Sequence, residues 1–186
     1  MSPPDRPLTE ANFVELFGEL AREVGPRPGS TTIVLAGGAY MTFLHLRDAT
    51  ADADAISQLP QFVKEAAAAV AARHGLRPTW LNDSALAFAP FGAPSDPVFT
   101  FFDSTSLRVV GPHPDAVFLM KIAASRAATS DRADAIALWS RCSFESAQAA
   151  VDAFYVAFPY EEPDPYLVDF ISEIISKGGS SSGPPS

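Results

Sequence analysis

The chain has 186 residues, 47% of them hydrophobic, and a formal net charge of −9. This length and apolar content are sufficient for one domain with a well-packed core and terminal appendages. The single cysteine, Cys142, excludes an intramolecular disulfide framework and a cysteine-rich zinc site, and it is typical of a reducing compartment.

The first eight residues are rich in proline and lack the cationic start and apolar stretch of a signal peptide. We expect residues 1–8 to form a disordered tail. No apolar run in the sequence approaches the length of a membrane span. The sequence therefore predicts a cytoplasmic protein that does not act at a membrane.

Helix and strand patterns alternate along the first half of the chain. A helix is predicted where apolar residues recur at helical spacing, and a strand where β-branched and apolar residues run together. Proline at a helix start and glycine after its last turn mark the boundaries. The predicted elements are a helix from an N-cap at Thr9 to about Val24, a strand over Thr31–Ala36, a short helix over 39–46, a strand that carries Asp52 and Asp54, and a helix from Pro60 to about His74.

The second half of the chain is predicted to add a strand pair and several helices. Residues 80–84 begin a short helix or an ordered loop, and residues 98–103 and 107–110 form two strands joined by a turn. The helices predicted after them cover 114–127, 131–141, 147–158 and 166–176, and a Gly/Ser/Pro-rich tail over 177–186 is expected to be disordered. These patterns predict an α+β fold, in which a small mixed β-sheet flanked by helices (9–112) is followed by a C-terminal helical part (113–176) packed on it.

A glycine pair at the end of the predicted strand Thr31–Ala36 is the first chemical signal. Gly37 and Gly38 allow the backbone to approach a phosphate closely, and their N–H groups can face an anion at a helix start. Asp52 and Asp54 follow at i and i+2, so on a strand both carboxylates point to the same face. Two carboxylates on one face can hold Mg²⁺ against a reacting phosphate. The pattern predicts phosphoryl-transfer chemistry.

Further residues are candidates for the same pocket. The Lys121 side chain projects from a largely apolar helix, and a charged group at such a position seldom lacks a partner. The alternative is that Lys121 is an ordinary solvated lysine on the helix surface. On the next predicted helix Asp134 is a candidate acid, and Asp131 is an equally good one. Asp103, at the end of a predicted strand, is the candidate third metal carboxylate, while its Ser/Thr neighbours are also typical of a turn.

Together these elements resemble the minimal nucleotidyltransferases of the AbiEii toxin type, which include the MenT toxins of toxin–antitoxin pairs. The resemblance rests on the glycine pair, on the strip Arg-x-x-Thr-x-Asp-x-Asp over residues 47–54, and on downstream Lys-x-x-Ala and Asp-x-x-Asp elements. It covers about residues 30 to 142. The phrase Trp-Leu-Asn-Asp over residues 80–83 also looks like a signature of an uncharacterised branch of that superfamily.

The resemblance implies a site for a nucleoside triphosphate (NTP) and a metal. Gly37 and Gly38 would cradle the triphosphate. Asp52 and Asp54 would act in catalysis by ligating Mg²⁺ or Mn²⁺, and Asp103 would be a further metal ligand. The metal would bridge the nucleotide phosphates and activate the attacking hydroxyl.

The resemblance also implies roles for residues around that site. Lys121 would neutralise charge on the β- and γ-phosphates, and Asp134 would complete the catalytic group near the metal or the nucleophile. Arg47 would steady the strip or contact a phosphate. Thr50 matches the position at which an antitoxin silences some members by modifying a hydroxyl, although a simple strand start explains this threonine as well.

The implied function is pyrophosphate-releasing transfer of a nucleotide from an NTP to an acceptor hydroxyl. The favoured acceptor is the 3′ end of tRNA, with the protein acting as a toxin that has a cognate antitoxin. Two alternatives stay open, namely AMP transfer to a partner protein and a non-catalytic interaction module that keeps the fold. His45 and Ala53 replace a common glycine and a usual large aliphatic residue of the family, and they favour the second alternative.

Overall fold

The computed structural model describes residues 6–26, 30–91, 97–125 and 129–178. Over these residues the chain forms seven α-helices and one five-stranded mixed sheet, which confirms the predicted α+β class. The described residues divide into two units. The first comprises 6–87 and 97–112 with the sheet, and the second comprises 88–91 and 113–178.

The first unit contains three helices, all five strands and most of a 3₁₀ helix. Its sheet has the strand order β3-β2-β1-β5-β4, with β1 parallel to β5 and antiparallel to β2. Strand β3 is parallel to β2, and β4 is antiparallel to β5. In chain order the elements are α1 Glu10–Val24, β1 Thr31–Ala36, α2 Gly37–Phe43, β2 Ala53–Ala55, α3 Gln61–His74, β3 Leu81–Asn82, the 3₁₀ helix Ser84–Phe88, β4 Phe99–Asp103 and β5 Leu107–Gly111.

Helix α1 forms where its apolar periodicity and its N-terminal cap predict it. Thr9 and Asn12 make a reciprocal capping box, in which each side chain accepts a hydrogen bond from the other residue's backbone N–H. Phe17 lies at the centre of the apolar face, fully buried, with its ring 5.9 Å from that of Trp80 and 6.3 Å from that of Phe43. The aromatic core of the first unit is therefore organised around this helix.

The two faces of the sheet differ in burial. Ile33 and Leu35 of β1 are completely buried, as are Ala53 and Ala55 of β2, because alternate residues of a strand point to the same side. Among the intervening positions Thr32 is exposed and Val34 and Asp54 are half-buried, whereas Ala36 is completely buried. Asp54 is therefore more open than the two alanines on either side of it in β2.

Two boundaries differ from the sequence-based prediction. Leu8 does not belong to a disordered tail, because it is 2% exposed and its N–H and C=O both pair with the backbone of Thr50. An apolar residue just before a helix N-cap commonly packs in this way. At the other end, α7 continues to Gly178, so residues 177–178 are helical, while residues 1–5 and 179–186 of the predicted tails lie outside the described residues.

Residues 80–84 also differ from the prediction, because they contain a strand rather than only a helix or loop. Leu81–Asn82 pairs with β2 as strand β3. Two residues give too short a pattern for strand periodicity to be visible in the sequence. This edge strand places Asn82 beside Asp54.

The second unit is helical. It contains α4 Pro114–Ser125, α5 Thr129–Trp139, α6 Ala147–Ala157 and α7 Leu167–Gly178. Helix α4 packs on α5 and α6, and α7 packs on α5 and α6. Phe118 of α4 anchors an aromatic cluster with Trp139 and Phe144, at ring distances of 5.4 and 5.8 Å. Within the described ranges, neither unit has a helix with the length and apolar character needed to cross a bilayer.

Replacing Leu8 by Ala tests whether the N-terminal segment is part of the fold. We expect a loss of about 2–3 kcal/mol in the free energy of unfolding, because a buried leucine leaves both a transfer cost and a cavity. Urea denaturation followed by circular dichroism measures it. Exposed Pro7 provides the control, and Pro7→Ala should change stability by less than about 0.5 kcal/mol. Equal stability of the Leu8→Ala and Pro7→Ala variants would contradict the packing of Leu8.

Candidate functional site

The glycine pair and the strip of residues 47–54 are packed directly on each other. A Cβ atom on Gly37 would collide with Oδ2 of Asp54 and lie 3.1 Å from its Cγ. A Cβ atom on Gly38 would collide with Oγ1 of Thr50 and lie 3.0 Å from Nη1 of Arg47. Real Cβ atoms do not approach other atoms so closely, so a side chain at either position would require Asp54 or Thr50 to move. The structure therefore brings together five of the residues that the sequence singled out.

Strand pairing explains why Asp54 reaches the glycine pair. Asp54 of β2 is in register with Ala36, the last residue of β1, and the chain turns at Gly37 directly after it. Gly37 has a φ of +64°, in the left-handed region that glycine adopts without a steric penalty. The end of β1 and the Asp54 side chain thus share one corner of the sheet.

Asp52 lies just before β2 and is held differently. Its side chain is 34% exposed, and one carboxylate oxygen lies 3.6 Å from the guanidinium of Arg77. Both Asp52 and Asp54 are partly exposed while Ala53 between them is completely buried. This alternation places the two carboxylates on the open side, as the i, i+2 spacing predicts. Arg77 was not a sequence-based candidate, and no motif around it indicated this contact.

The loop between α2 and the strip has a strained residue. His45 has a φ of +57°, a conformation that costs a non-glycine residue about 1 kcal/mol. A glycine would adopt it freely. The His45 ring lies 3.4 Å from the carboxylate of Glu10, and their side chains are 76% and 44% exposed.

Ser84 and Asn82 border Asp54 on the side opposite to the glycine pair. Asn82 is in register with Asp54 across β3 and β2. The Ser84 hydroxyl lies 3.2 Å from Oδ1 of Asp54 and 2.5 Å from Oδ1 of Asn82, and the Ser84 N–H donates to the same Asn82 oxygen at 2.9 Å. Sequence reasoning did not select Ser84, although the Trp-Leu-Asn-Asp phrase directly before it was the signal that pointed to this segment.

Asp83 fixes the same segment to the start of α3. Its carboxylate accepts hydrogen bonds from the backbone N–H of Leu59 at 3.1 Å and from the ammonium of Lys64. The hydrogen bond from Lys64, followed by that from Leu59, lowers the pKa of Asp83 below its ordinary value of 3.8. Asp83 therefore has a structural role next to the site.

Asp103 does not join the site, which corrects the interpretation of this residue as a third metal ligand. Asp103 of β4 is in register with Arg108 of β5, and Arg108 is in register with Thr32 near the start of β1. Asp54 of β2, in contrast, is in register with Ala36 at the end of β1. Three strand spacings and four residues along the strand separate the two aspartates by roughly 20 Å. Over the described parts of the chain, no three His, Cys, Asp or Glu residues form a group that could hold a metal ion by themselves.

Lys121, Asp131 and Asp134 form a separate cluster in the second unit. The Lys121 ammonium lies 2.7 Å from a carboxylate oxygen of Asp131 and 2.8 Å from one of Asp134. Burial alone would lower the pKa of Lys121, but the hydrogen bonds to Asp131 and Asp134 outweigh it and raise the pKa above the ordinary value. Both aspartates that the sequence left as alternatives therefore engage the lysine. Their predicted roles at the phosphates stay predictions.

Comparison with known proteins gives no match to a family model, to a curated protein or to a solved structure. The candidate site is therefore argued from its own geometry. That geometry consists of a glycine pair without room for side chains, two half-exposed carboxylates on one side of the sheet, and a cation and a hydroxyl packed on the second glycine.

Alanine at Gly38 tests the packing of the strip on the glycine pair. We expect Gly38→Ala to lose about 1–3 kcal/mol of stability, because the new methyl group overlaps Thr50. Gly18→Ala is the matched control, since nothing lies within 4 Å of that position and it is inside α1. The control should gain about 0.5–1 kcal/mol from better helix propensity. Chemical denaturation of both variants measures the difference, and two changes of the same sign would contradict the close packing.

Asp83→Asn tests the pH dependence of the hydrogen bonds that Asp83 accepts from Leu59 and Lys64 at the start of α3. Because the folded state lowers the pKa of Asp83, the stabilisation is present above the unfolded value near 3.8 and is lost as pH falls through the lower folded value. We expect wild type to exceed Asp83→Asn by about 1 kcal/mol at pH 7, and the difference to shrink below pH 3. Urea unfolding across pH checks this, with exposed Asp48→Asn as the control. A difference that is the same at pH 7 and at pH 3 contradicts the assignment.

Proposed function

We propose that this chain is a metal-dependent nucleotidyltransferase that transfers a nucleotide from an NTP to an acceptor hydroxyl and releases pyrophosphate. The observation that carries the proposal is the direct packing of Gly37 and Gly38 on Asp54, Thr50 and Arg47. This packing brings together, at the turn after β1, a carboxylate that can hold a cation and a guanidinium that can pair with a phosphate.

The donor set fits Mg²⁺ or Mn²⁺. Asp52 and Asp54 supply hard carboxylate oxygens from one side of the sheet, and both are partly open to solvent. Mg²⁺ is usually bound by one or two carboxylates together with substrate phosphates and water, so a third protein carboxylate is not required. When bound, the ion would neutralise phosphate charge and lower the pKa of the attacking hydroxyl.

Within this proposal the chain's own residues mainly position the substrate. The absence of side chains at Gly37 and Gly38 lets Asp54 and Thr50 pack against the end of β1. Asp52 and Asp54 would hold the metal and, through it, the reacting phosphate. Arg47, packed on Gly38, offers a planar cation for bidentate contact with a phosphate. Catalysis then comes from orientation and charge stabilisation.

Lys121 and Asp134 are assigned to the same reaction as a charge-neutralising lysine and its supporting acid. Asp131 and Asp134 hold the Lys121 ammonium in one position within the second unit. Substitution of Lys121 by Met separates this role from folding if activity is lost while the helical spectrum persists.

We further propose the 3′ end of tRNA as the acceptor, with the protein acting in the cytoplasm as a toxin that a cognate antitoxin controls. The second candidate is transfer of AMP to a partner protein. The net charge of −9 favours it, since a protein acceptor does not meet the repulsion that an acidic chain exerts on RNA. A non-catalytic interaction module is the outcome if no transfer occurs.

Transfer of α-³²P label from each of the four NTPs, with Mg²⁺, into total tRNA and into protein tests these proposals. We expect label in tRNA with wild type, and a loss of at least about 100-fold in Asp54→Asn, because the metal then lacks a ligand that acts in the transition state. Asp103→Asn is the matched control, as this exposed aspartate lies at the far end of the sheet, and it should stay within about twofold of wild type.

The other outcomes are equally informative. Label in a protein band would replace tRNA by a protein acceptor. Equal losses in Asp54→Asn and Asp103→Asn would contradict the site. No label from any NTP with wild type would contradict the enzyme assignment and leave the interaction module.

A further inference from the structure

We propose that Ser84 is a positioning residue for the metal-binding carboxylate of Asp54, and that Asn82 holds the Ser84 hydroxyl in place. This inference rests on the proposed function, because it assigns Asp54 to the metal. Ser84 and Asn82 lie on a side of the site where the sequence analysis placed no candidate residue.

The two oxygens of Asp54 have different neighbours. Oδ2 faces Gly37, where a Cβ atom would collide with it, and Oδ1 lies 3.2 Å from the Ser84 hydroxyl. The carboxylate is thus confined between the glycine backbone and a hydroxyl donor. A carboxylate whose movement its neighbours restrict loses less rotamer freedom when it binds a cation, which is how outer contacts raise metal affinity.

The orientation of Asn82 follows from its contacts. Its Oδ1 accepts the Ser84 backbone N–H at 2.9 Å, so the amide oxygen, and not the NH₂ group, faces the Ser84 hydroxyl. The hydroxyl then has one proton and two acceptors, Asp54 Oδ1 and Asn82 Oδ1. The hydroxyl can therefore donate to Asp54 or to Asn82, but to only one of them at a time.

The residues before Ser84 hold it at this distance. Trp80 is 1% exposed, its indole N–H donates to the carbonyl of Ala67 at 2.9 Å, and its own carbonyl accepts from Ala53 at 2.7 Å. Leu81 is buried, and Asp83 is bonded to Leu59 and Lys64. The contacts of the Trp-Leu-Asn-Asp phrase therefore hold the Ser84 backbone next to β2.

Fold stability alone does not account for the Ser84 hydroxyl. Ser84 is exposed, and a hydrogen bond at an exposed position contributes little to the free energy of unfolding. The contact also joins residues 30 positions apart, so it is not a local turn bond. Its consequence is to orient Asp54.

The experiment measures binding of Mn²⁺ by electron paramagnetic resonance, with and without a non-hydrolysable NTP analogue, alongside the kcat and KM of transfer. We expect Ser84→Ala to weaken Mn²⁺ binding about 10-fold, the lower end of the loss seen for outer-shell partners of metal ligands. Ser84→Thr retains the hydroxyl and should stay within about threefold of wild type. Because Asn82 acts through Ser84, the double Asn82→Ala, Ser84→Ala variant should bind no more weakly than Ser84→Ala alone.

Ser104→Ala is the matched control, since the Ser104 hydroxyl hydrogen-bonds to the backbone of Leu107 within the β4–β5 turn, far from Asp54 in the sheet order. A folded Ser84→Ala variant with wild-type Mn²⁺ affinity would overturn the inference, as would an equal loss in Ser104→Ala. Failure of the proposed function has a different signature, because wild type itself would then take up neither Mn²⁺ with nucleotide nor label from an NTP.

Discussion

The site depends on the absence of side chains at the point where β1 turns into α2. Gly37 and Gly38 leave a space that Asp54, Thr50 and Arg47 fill to contact distance, so any Cβ atom there would push the strip away from the sheet. An added methyl group in such a packed position costs about 1–3 kcal/mol, whereas one hydrogen bond contributes about 1 kcal/mol net. The pairing of β2 and the Leu8–Thr50 backbone pair hold the strip at this end of β1.

The strip is held by short elements, each tied to a larger one. Strand β2 has only three residues, but Ala53 and Ala55 are completely buried and the strand pairs on both sides. The N-terminal segment adds a second tie through the Leu8–Thr50 backbone pair. Small buried residues suit this strand, because Ala53 and Ala55 fill their completely buried positions without a large side chain.

Most of the fold and part of the candidate site could be predicted from the sequence. The periodicity and capping of α1, the strand before the glycine pair and the i, i+2 carboxylates were all visible as local patterns. Three other features could not be predicted, because they depend on pairing between distant segments. They are the two-residue strand β3, the Arg77–Asp52 contact and the position of Ser84. The placement of Asp103 was wrong for the same reason, as only strand order shows that β4 lies at the opposite edge from β3.

The contacts of Asp52 and Asp54 also suit a site in which the carboxylates would exchange their present neighbours for a metal ion. Asp54 faces a neutral hydroxyl at 3.2 Å, and Asp52 faces a guanidinium at 3.6 Å. Both contacts are partly exposed, and such contacts are worth little individually. A divalent cation would compete with them at small cost, whereas a carboxylate held like those of Asp131 and Asp134, within 2.8 Å of a buried ammonium, would have to give up a strong bond first. The carboxylates of the strip thus differ in their contacts from those of Asp131 and Asp134, and this difference is what the proposed metal site requires.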